Sequence, residues 1–293
     1  MKTAVYDVGS NSIRLIVFDG RQPVLKRKIN CRLGEGVAET GRISADATAR
    51  AFHALSLLKT LAEEQGVTER SHFAFATEAV RRAENGKEFL AAAEDGFSIA
   101  FELLSGEREA EIGLNGVLEG GDGAVLDIGG ASSELAVREG GKIVYVKSVK
   151  AGAGILRDGF LNDKKGLFSA AKNYAAQYIG APKIKTLYAI GGTASGCGYV
   201  ANNLKAYDER LIDGLILNGE FVNGLADELL SVPESERAAR YHLDENRAKV
   251  LPYGAKLFAE ILFFLSPEKV IVSEKGNVEG YFDHLVNLGR IKL

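Results

Sequence analysis

The sequence predicts an α/β protein that builds one strand-rich unit twice, each copy reading βββαβαβα in outline. Three observations predict it. First, "VYDVGSNSIRLIV" at residues 5–17 returns as "VLDIGGASSELAV" at residues 125–137. Asp7 falls on Asp127, Gly9 on Gly129, Ser12 on Ser132 and Leu15 on Leu135, a constant offset of 120 residues. Second, short apolar runs around each copy give way to longer runs at helical spacing, and such alternation marks an α/β architecture. Third, 293 residues exceed one average domain. The expected domains are residues 1–121 and 122–293, with the last helix a candidate to pack back on the first. The repeat is far longer than a solenoid unit.

Taken in order, residues 3–8 and 13–19 read as strands flanking a Gly-Ser-Asn-Ser turn, and residues 24–33 as a third strand of the same meander. Ala51, Leu55, Leu58 and Leu61 recur at helical spacing within residues 46–65, with Ser44 as cap and Gly66 as stop. Residues 72–76 form a strand leading through a threonine-containing loop into a helix. Residues 97–103 form another strand, after which Ser105 caps a helix to about residue 118. The "GGDG" at 120–123 breaks this pattern, and the strand-turn-strand module restarts at Ala124. There follow a strand at 142–148, a helical region to residue 180, a strand at 185–190 and a Gly-Gly-Thr turn entering a helix. A long helix at 245–265, a strand at 269–273 and a helix at 277–287 close the chain.

Composition excludes several function classes. Hydrophobic content of 46% and charged content of 26% are those of an ordinary globular protein. A net charge of −3 without a basic stripe argues against a nucleic-acid partner. The most apolar helix candidate, residues 257–265, is short and carries Glu260, so no membrane span is expected. The N-terminus enters a strand without a basic, apolar leader, and secretion is not expected. Cys31 and Cys197 cannot make a disulfide framework and suit a reducing, cytoplasmic location. His53, His72, His242 and His284 are scattered and lack metal-ligand spacing.

The repeated turn carries the chemistry. Glycines let backbone N–H groups approach an anion as a nest, and an aspartate at the strand end can hold a cation or a water beside a phosphate. A dinucleotide or Walker loop leads from strand into helix, and neither complete signature is present. An ordinary hairpin explains one such turn. Two at a fixed offset, with the aspartate kept, favour phosphate chemistry.

These turns resemble the two phosphate loops of the acetate kinase, sugar kinase, Hsp70 and actin superfamily. More narrowly, the chain resembles the exopolyphosphatase and guanosine pentaphosphate phosphohydrolase (Ppx/GppA) family. The resemblance rests on "DVGSNSIRLIV" (7–17), "RLGEGV" with "TGRIS" (32–44), "ATEAVRRAEN" (76–85), "LSGEREAE" (104–111) and "DIGGASSEL" (127–135). "GGTA" (191–194), "ENRAKVLPYGA" (245–255) and "VSEKGNVEG" (272–280) follow in the family's order and extend it over nearly the whole chain. It implies two ribonuclease H-like (actin-like ATPase) domains, each with a central mixed sheet, flanking an interdomain cleft.

The resemblance also implies roles. Glu109 is the expected catalytic base, activating a water against the terminal phosphorus. Asp127 and Glu134 match acids implicated in catalysis and in handling Mg²⁺ (or Mn²⁺), with Asp7 as a third metal-site carboxylate. Gly9, Ser10, Asn11, Ser12 and Arg14, with Gly129, Gly130, Ala131 and Ser132, are expected to cradle phosphates. Gly192 and Thr193 open a helix whose N-terminus favours anions. Thr77 and Arg81 also match phosphate-lining positions, and arginine suits phosphate by its bidentate fork.

Departures accompany these matches. The family's Glu-Glu-Ala-Arg reads Arg108-Glu109-Ala110-Glu111, Ala131 replaces a glycine, and Val278 and Ile155 stand where arginines are common. The helical C-terminal domains of longer members are also absent from this sequence. Polyphosphate carries a charge on each phosphate and calls for an extended cationic track, so short substrates are expected. The reading is therefore a hydrolase releasing orthophosphate from short polyphosphate or a related phosphoanhydride, with pppGpp as a further substrate. A kinase or ATPase of the same superfamily and a non-catalytic alarmone sensor remain as alternatives, and a homodimer stays open.

Overall fold

The computed structural model describes residues 2–293. The chain divides into two compact units, Met1–Ile112 with Asn277–Leu293, and Gly113–Gly276. The division falls inside a helix, ahead of the glycine stretch at 120–123, and the last helix counts with the first unit.

The first unit contains β1 (Lys2–Val8), β2 (Ser12–Asp19), β3 (Gln22–Asn30), α1 (Val37–Thr40), α2 (Ala45–Glu64), β4 (His72–Ala76), α3 (Glu78–Arg82), α4 (Gly86–Phe97) and β5 (Ala100–Leu103). Helix α5 (Gly106–Leu118) crosses the division. The second unit contains β6 (Gly123–Ile128), β7 (Ser133–Glu139), β8 (Lys142–Val149), α6 (Ala153–Phe160), α7 (Lys164–Ala175), β9 (Thr186–Ile190), α8 (Gly191–Ala201) and α9 (Glu209–Ile212). It continues with β10 (Ile216–Leu217), α10 (Gly219–Ser231), α11 (Glu234–Tyr241), α12 (Glu245–Leu265) and β11 (Lys269–Val272). Helix α13 (Asn277–Asn287) belongs to the first unit.

The first sheet has the order β3-β2-β1-β4-β5, antiparallel across β3-β2-β1 and parallel across β1-β4-β5. The second runs β8-β7-β6-β9-β11 with the same directions, and β10 is added antiparallel at its far edge. Both are the mixed sheet of a ribonuclease H-like domain. The duplication reaches the backbone. Asp7 pairs with Arg14 and Asp127 with Glu134, while register shifts fall at Val17/Phe18 and again at Val137/Arg138. Hairpin glycines Gly20 and Gly140 take φ of +57° and +56°.

Strand β1 is buried from Thr3 to Val8 because helices cover both faces of its sheet. On one face Tyr6, Val8 and Leu15 meet Ala51, Leu55 and Leu58 of α2. Ser44 accepts from Ala47 N at 3.1 Å and starts that helix. On the other face Val5, Ile16, Phe18, Phe73 and Phe75 meet Val278, Tyr281, Phe282 and Leu285 of α13. The i, i+3, i+4, i+7 spacing of those four makes one apolar stripe, which is why the last helix returns to this sheet.

Elsewhere the structure departs from the expected boundaries. Strand β3 stops at Asn30 because Cys31 N and Arg32 N both donate to Asn11 O, and Arg32 takes φ of +50°. Phe97 ends α4 instead of opening β5, since Ser98 adopts a left-handed cap at φ of +52°. Strand β10 has two residues, too few to leave an alternating signal.

Candidate active site

In the first unit, β1, β4 and β5 are parallel and end on one edge of the sheet. Asp7 is buried at the end of β1. Gly9 N donates to Ser12 O at 3.1 Å to close the turn. The turn's carbonyls face inward, Asn11 O accepting from Cys31 N and Arg32 N and Ser10 O from Gly34 N at 2.8 Å. Gly34 eases that approach, because a Cβ would stand 3.1 Å from Ser10 Cβ, a few tenths of an ångström too close. Thr77 N donates to Val8 O at 3.4 Å, which sets the buried Thr77 beside the turn. Residues 9–12 and Arg14 are half-buried.

Arg81, on α3, joins the ends of β4 and β5. It donates through Nε to Glu78 Oε2 at 2.9 Å and also to Leu104 O. Its Nη1 lies 3.8 Å from Glu109 Oε2, a charge contact too long for a hydrogen bond. Glu109 sits in the first turn of α5, only 7% exposed. A carboxylate so desolvated is tolerable only with a cationic neighbour, and Arg81 provides it. Thr77, Arg81 and Glu109 are therefore brought together within one unit.

The departures around Glu109 form their own pair. Arg108 binds Glu111 at 2.8 Å and His284 Nδ1 at 2.8 Å. Positive and negative have exchanged places one turn apart, and α13 supplies a third partner. Burial and Arg108 hold the His284 pKa below its ordinary value, consistent with a neutral ring accepting from the guanidinium. Val278, in place of an arginine, is buried in the apolar stripe of α13.

In the second unit, Gly129 N donates to Ser132 O at 3.0 Å, and the N-terminus of α6 holds the turn from behind. Ala153 N reaches Gly129 O at 2.9 Å, and Gly154 N reaches Gly130 O at 2.8 Å. Gly152 permits this approach: a Cβ there would lie 2.5 Å from Gly130 C and 2.6 Å from Ala131 N. Gly130 and Ala131 are half-buried and Ser132 is buried. Asp127 and Glu134 are direct cross-strand partners, so their Cβ atoms stand about 4.5–5.5 Å apart on one face. Glu134, 2% exposed, accepts from Ser148 Oγ at 2.8 Å.

Gly191 takes φ of +79° and lies under Asp127, whose carboxylate would collide with any Cβ there. Gly192 O accepts from Arg247 Nη1 at 2.5 Å. Thr193 faces inward, since a Cβ on Gly254 of α12 would meet its Oγ1 at 2.6 Å. Of that pair, Gly192 is half-buried and Thr193 buried. Sequence reasoning passed over Glu78, Gly152 and Arg247 as site residues. Glu78 and Arg247 lie inside the conspicuous motifs and Gly152 outside them. Glu78 binds Arg81 three residues on, whereas the neighbours of Gly152 and Arg247 are distant in sequence and only the fold supplies them.

Among the described residues no group of three or more His, Cys, Asp or Glu could by itself hold a metal ion. Asp127 and Glu134 nonetheless fit Mg²⁺, which keeps several waters and is typically held by one or two carboxylates with substrate phosphates. No described helix is long and apolar enough to cross a membrane. Cys31 and Cys197 are buried free thiols, and burial pushes Cys197 up to about 12.

Residues 14–288 match the model of the Ppx/GppA phosphatase family. The guanosine-5'-triphosphate,3'-diphosphate pyrophosphatase of Vibrio campbellii is 33% identical over 97% of this chain and 59% of its own length. The bifunctional 3-dehydroquinate synthase/phosphatase of Fusobacterium nucleatum is 26% identical over 94% of this chain and 45% of its own. The chain thus spans about half the length of the curated relatives it matches. The crystal structure of the Aquifex aeolicus Ppx/GppA family member superposes with a TM-score of 0.81 at 27% identity, covering 100% of this chain and 99% of that one. An exopolyphosphatase from Cytophaga hutchinsonii shares the fold, with a TM-score of 0.86 at 22% identity over 98% of each chain.

Proposed function

The chain belongs to the Ppx/GppA phosphatase family, and from that premise we propose that it hydrolyses phosphoanhydrides, releasing orthophosphate from the end of short polyphosphate and from pppGpp. The observation that supports this most is the Arg81–Glu109 contact at 3.8 Å, where the ends of β4 and β5 meet and Glu109 is buried. The Vibrio campbellii relative, named for a guanosine pentaphosphate substrate, supports the second substrate class.

In this reading the turn amides and hydroxyls hold the terminal phosphoryl group, and Arg81 stabilises charge on its oxygens. A water attacks the terminal phosphorus in line, and Glu109 takes its proton. The bond from that phosphorus to the bridging oxygen breaks, and the shortened chain leaves with the electron pair. Arg81 favours the ionised form of Glu109, which must be free of a proton to accept one. Asp127 and Glu134 would hold Mg²⁺, whose chemistry is to neutralise phosphate charge. Short substrates are favoured because Val278 is buried without charge where the family commonly has an arginine.

A phosphate-release assay with Mg²⁺ on tripolyphosphate, long polyphosphate, pppGpp and ATP tests the proposal. Faster release from tripolyphosphate than from long chains is expected. Equal or better use of the long polymer defeats the short-chain preference. Transfer of phosphate from ATP to an acceptor, without hydrolysis, defeats the hydrolase reading.

A further inference from the structure

Asparagine is among the best helix N-caps, and Asn85 stands at the N-cap of α4, yet its side chain makes no capping hydrogen bond. Both ends of its amide are spent 42 residues away. Asn85 Oδ1 accepts from Ile43 N and Nδ2 donates to Ile43 O, each at 2.9 Å. Beside this pair Glu84 N donates to Gly41 O at 2.9 Å. The motifs at residues 40–44 and 76–85 thus meet as two paired strands would. A local rule set aside in this way is expected at functional or strained sites. From this junction a line of backbone hydrogen bonds runs to the first turn. Gly41 N donates to Val37 O at 3.0 Å, Val37 N to Gly34 O at 3.2 Å, and Gly34 N to Ser10 O at 2.8 Å. Leu33, Val37 and Ile43 anchor the segment in the core of the first unit.

We propose that Asn85 is a positioning residue: by latching segment 31–43 to the α3–α4 junction, it holds the first turn in the orientation that binds a terminal phosphoryl group. This rests on the reading above that the turn seats that group. The peptide bonds are trans, so each C=O and its N–H point to opposite sides. Segment 31–43 holds Ser10 O through Gly34 N, and Asn11 O through Cys31 N and Arg32 N. With those two carbonyls pinned, the N–H groups of Asn11 and Ser12 turn the other way, in the succession that makes an anion nest. Thr77 N, at the start of α3, donates to Val8 O at the end of β1. Helix α3 is therefore tied to the turn at both ends, once through β1 and once through the latched segment. Arg81 keeps its own partners, Glu78 and Leu104 O, without the latch, so binding and chemistry separate. An unlatched turn that is correctly oriented about a tenth of the time binds about tenfold more weakly, and saturating substrate restores it.

Two measurements on the full chain test this for Asn85→Ala and Ser44→Ala. One is steady-state phosphate release from tripolyphosphate with Mg²⁺; the other is calorimetric binding of tripolyphosphate with Glu109→Gln added to each variant. Ser44→Ala removes the α2 cap next to Ile43 and leaves the Asn85 pair in place. It is expected to lower the denaturant midpoint, as Asn85→Ala does, and to leave KM and binding unchanged. Asn85→Ala is expected to raise KM about tenfold and to weaken binding equally, with kcat within about twofold. Should Asn85→Ala not fold, Asn85→Asp carries the same expectation, since it keeps the bond from Ile43 N and loses the one to Ile43 O. A fall in kcat without a change in KM, or equal changes in the Asn85 and Ser44 variants, overturns the latch. Unchanged KM and binding in the Asn85 variant overturns it too and leaves the hydrolase reading intact. A parent that binds tripolyphosphate without hydrolysing it defeats the hydrolase reading alone, and the binding comparison still decides the latch. A parent that binds no tripolyphosphate defeats both.

Discussion

A glutamate in the first turn of an amphipathic helix is ordinarily solvated, yet Glu109 is buried against Arg81. Its motif was legible in the sequence, but its partners were not. Arg81 lies 28 positions away, and the parallel ends of β4 and β5 bring the two together. Arg81→Lys keeps the charge but loses the fork that spans Glu78, Leu104 O and Glu109. It is expected to lower kcat about 10²-fold, measured as steady-state phosphate release. Gly152 is a second case, where a glycine outside every named role proves essential for close approach. Gly152→Ala is expected to destabilise the protein by about 1–3 kcal/mol, read by denaturant unfolding. His72 is a third. Burial holds its pKa down to about 4 from an ordinary 6.5, and Tyr6 Oη lies 2.8 Å from its Nδ1. The unfolded chain takes up this proton first as pH falls. Stability is therefore fully present above pH 6.5 and declines between about 6.5 and 4, a decline that His72→Asn should flatten in pH-dependent unfolding.

Elements with strong patterns were readable from sequence. The meander β1–β3, helix α2 with its Ser44 cap, and helix α12 all follow from alternation, helical spacing and capping chemistry. The short elements α1, α9 and β10 were not, because four residues or fewer carry no period. The sequence offered the last helix as a candidate to pack back on the first domain, but not the face by which α13 does so. Phe282 stacks on Phe18 at a centroid distance of 4.0 Å, and Tyr281 meets Phe75 at 4.8 Å. Truncating a buried aromatic leaves a cavity, so Phe282→Ala is expected to cost about 3–5 kcal/mol. Denaturant unfolding of the full chain measures it, and a loss below 1 kcal/mol would show that α13 is not an integral layer of the first unit.

At the scale of the molecule, one duplicated module carries two different sets of side chains. The backbone kept its register, its bulge and its turn hydrogen bond in both copies, since those features fix side-chain direction. Side chains on that frame diverged, to Asp7–Arg14–Lys28 in one copy and Asp127–Glu134–Ser148 in the other. Sequence comparison between the halves exposed the repeat through its glycines and aspartates. It could not expose the pairing of Arg14 with Lys28 or of Glu134 with Ser148, because cross-strand partners follow from register. Orthophosphate release from tripolyphosphate with Mg²⁺, compared between the natural chain and Glu109→Gln, tests the account most directly. A loss of about 10²- to 10⁴-fold in kcat with tripolyphosphate still bound is predicted. A Glu109→Gln variant that turns over at the natural rate would contradict it.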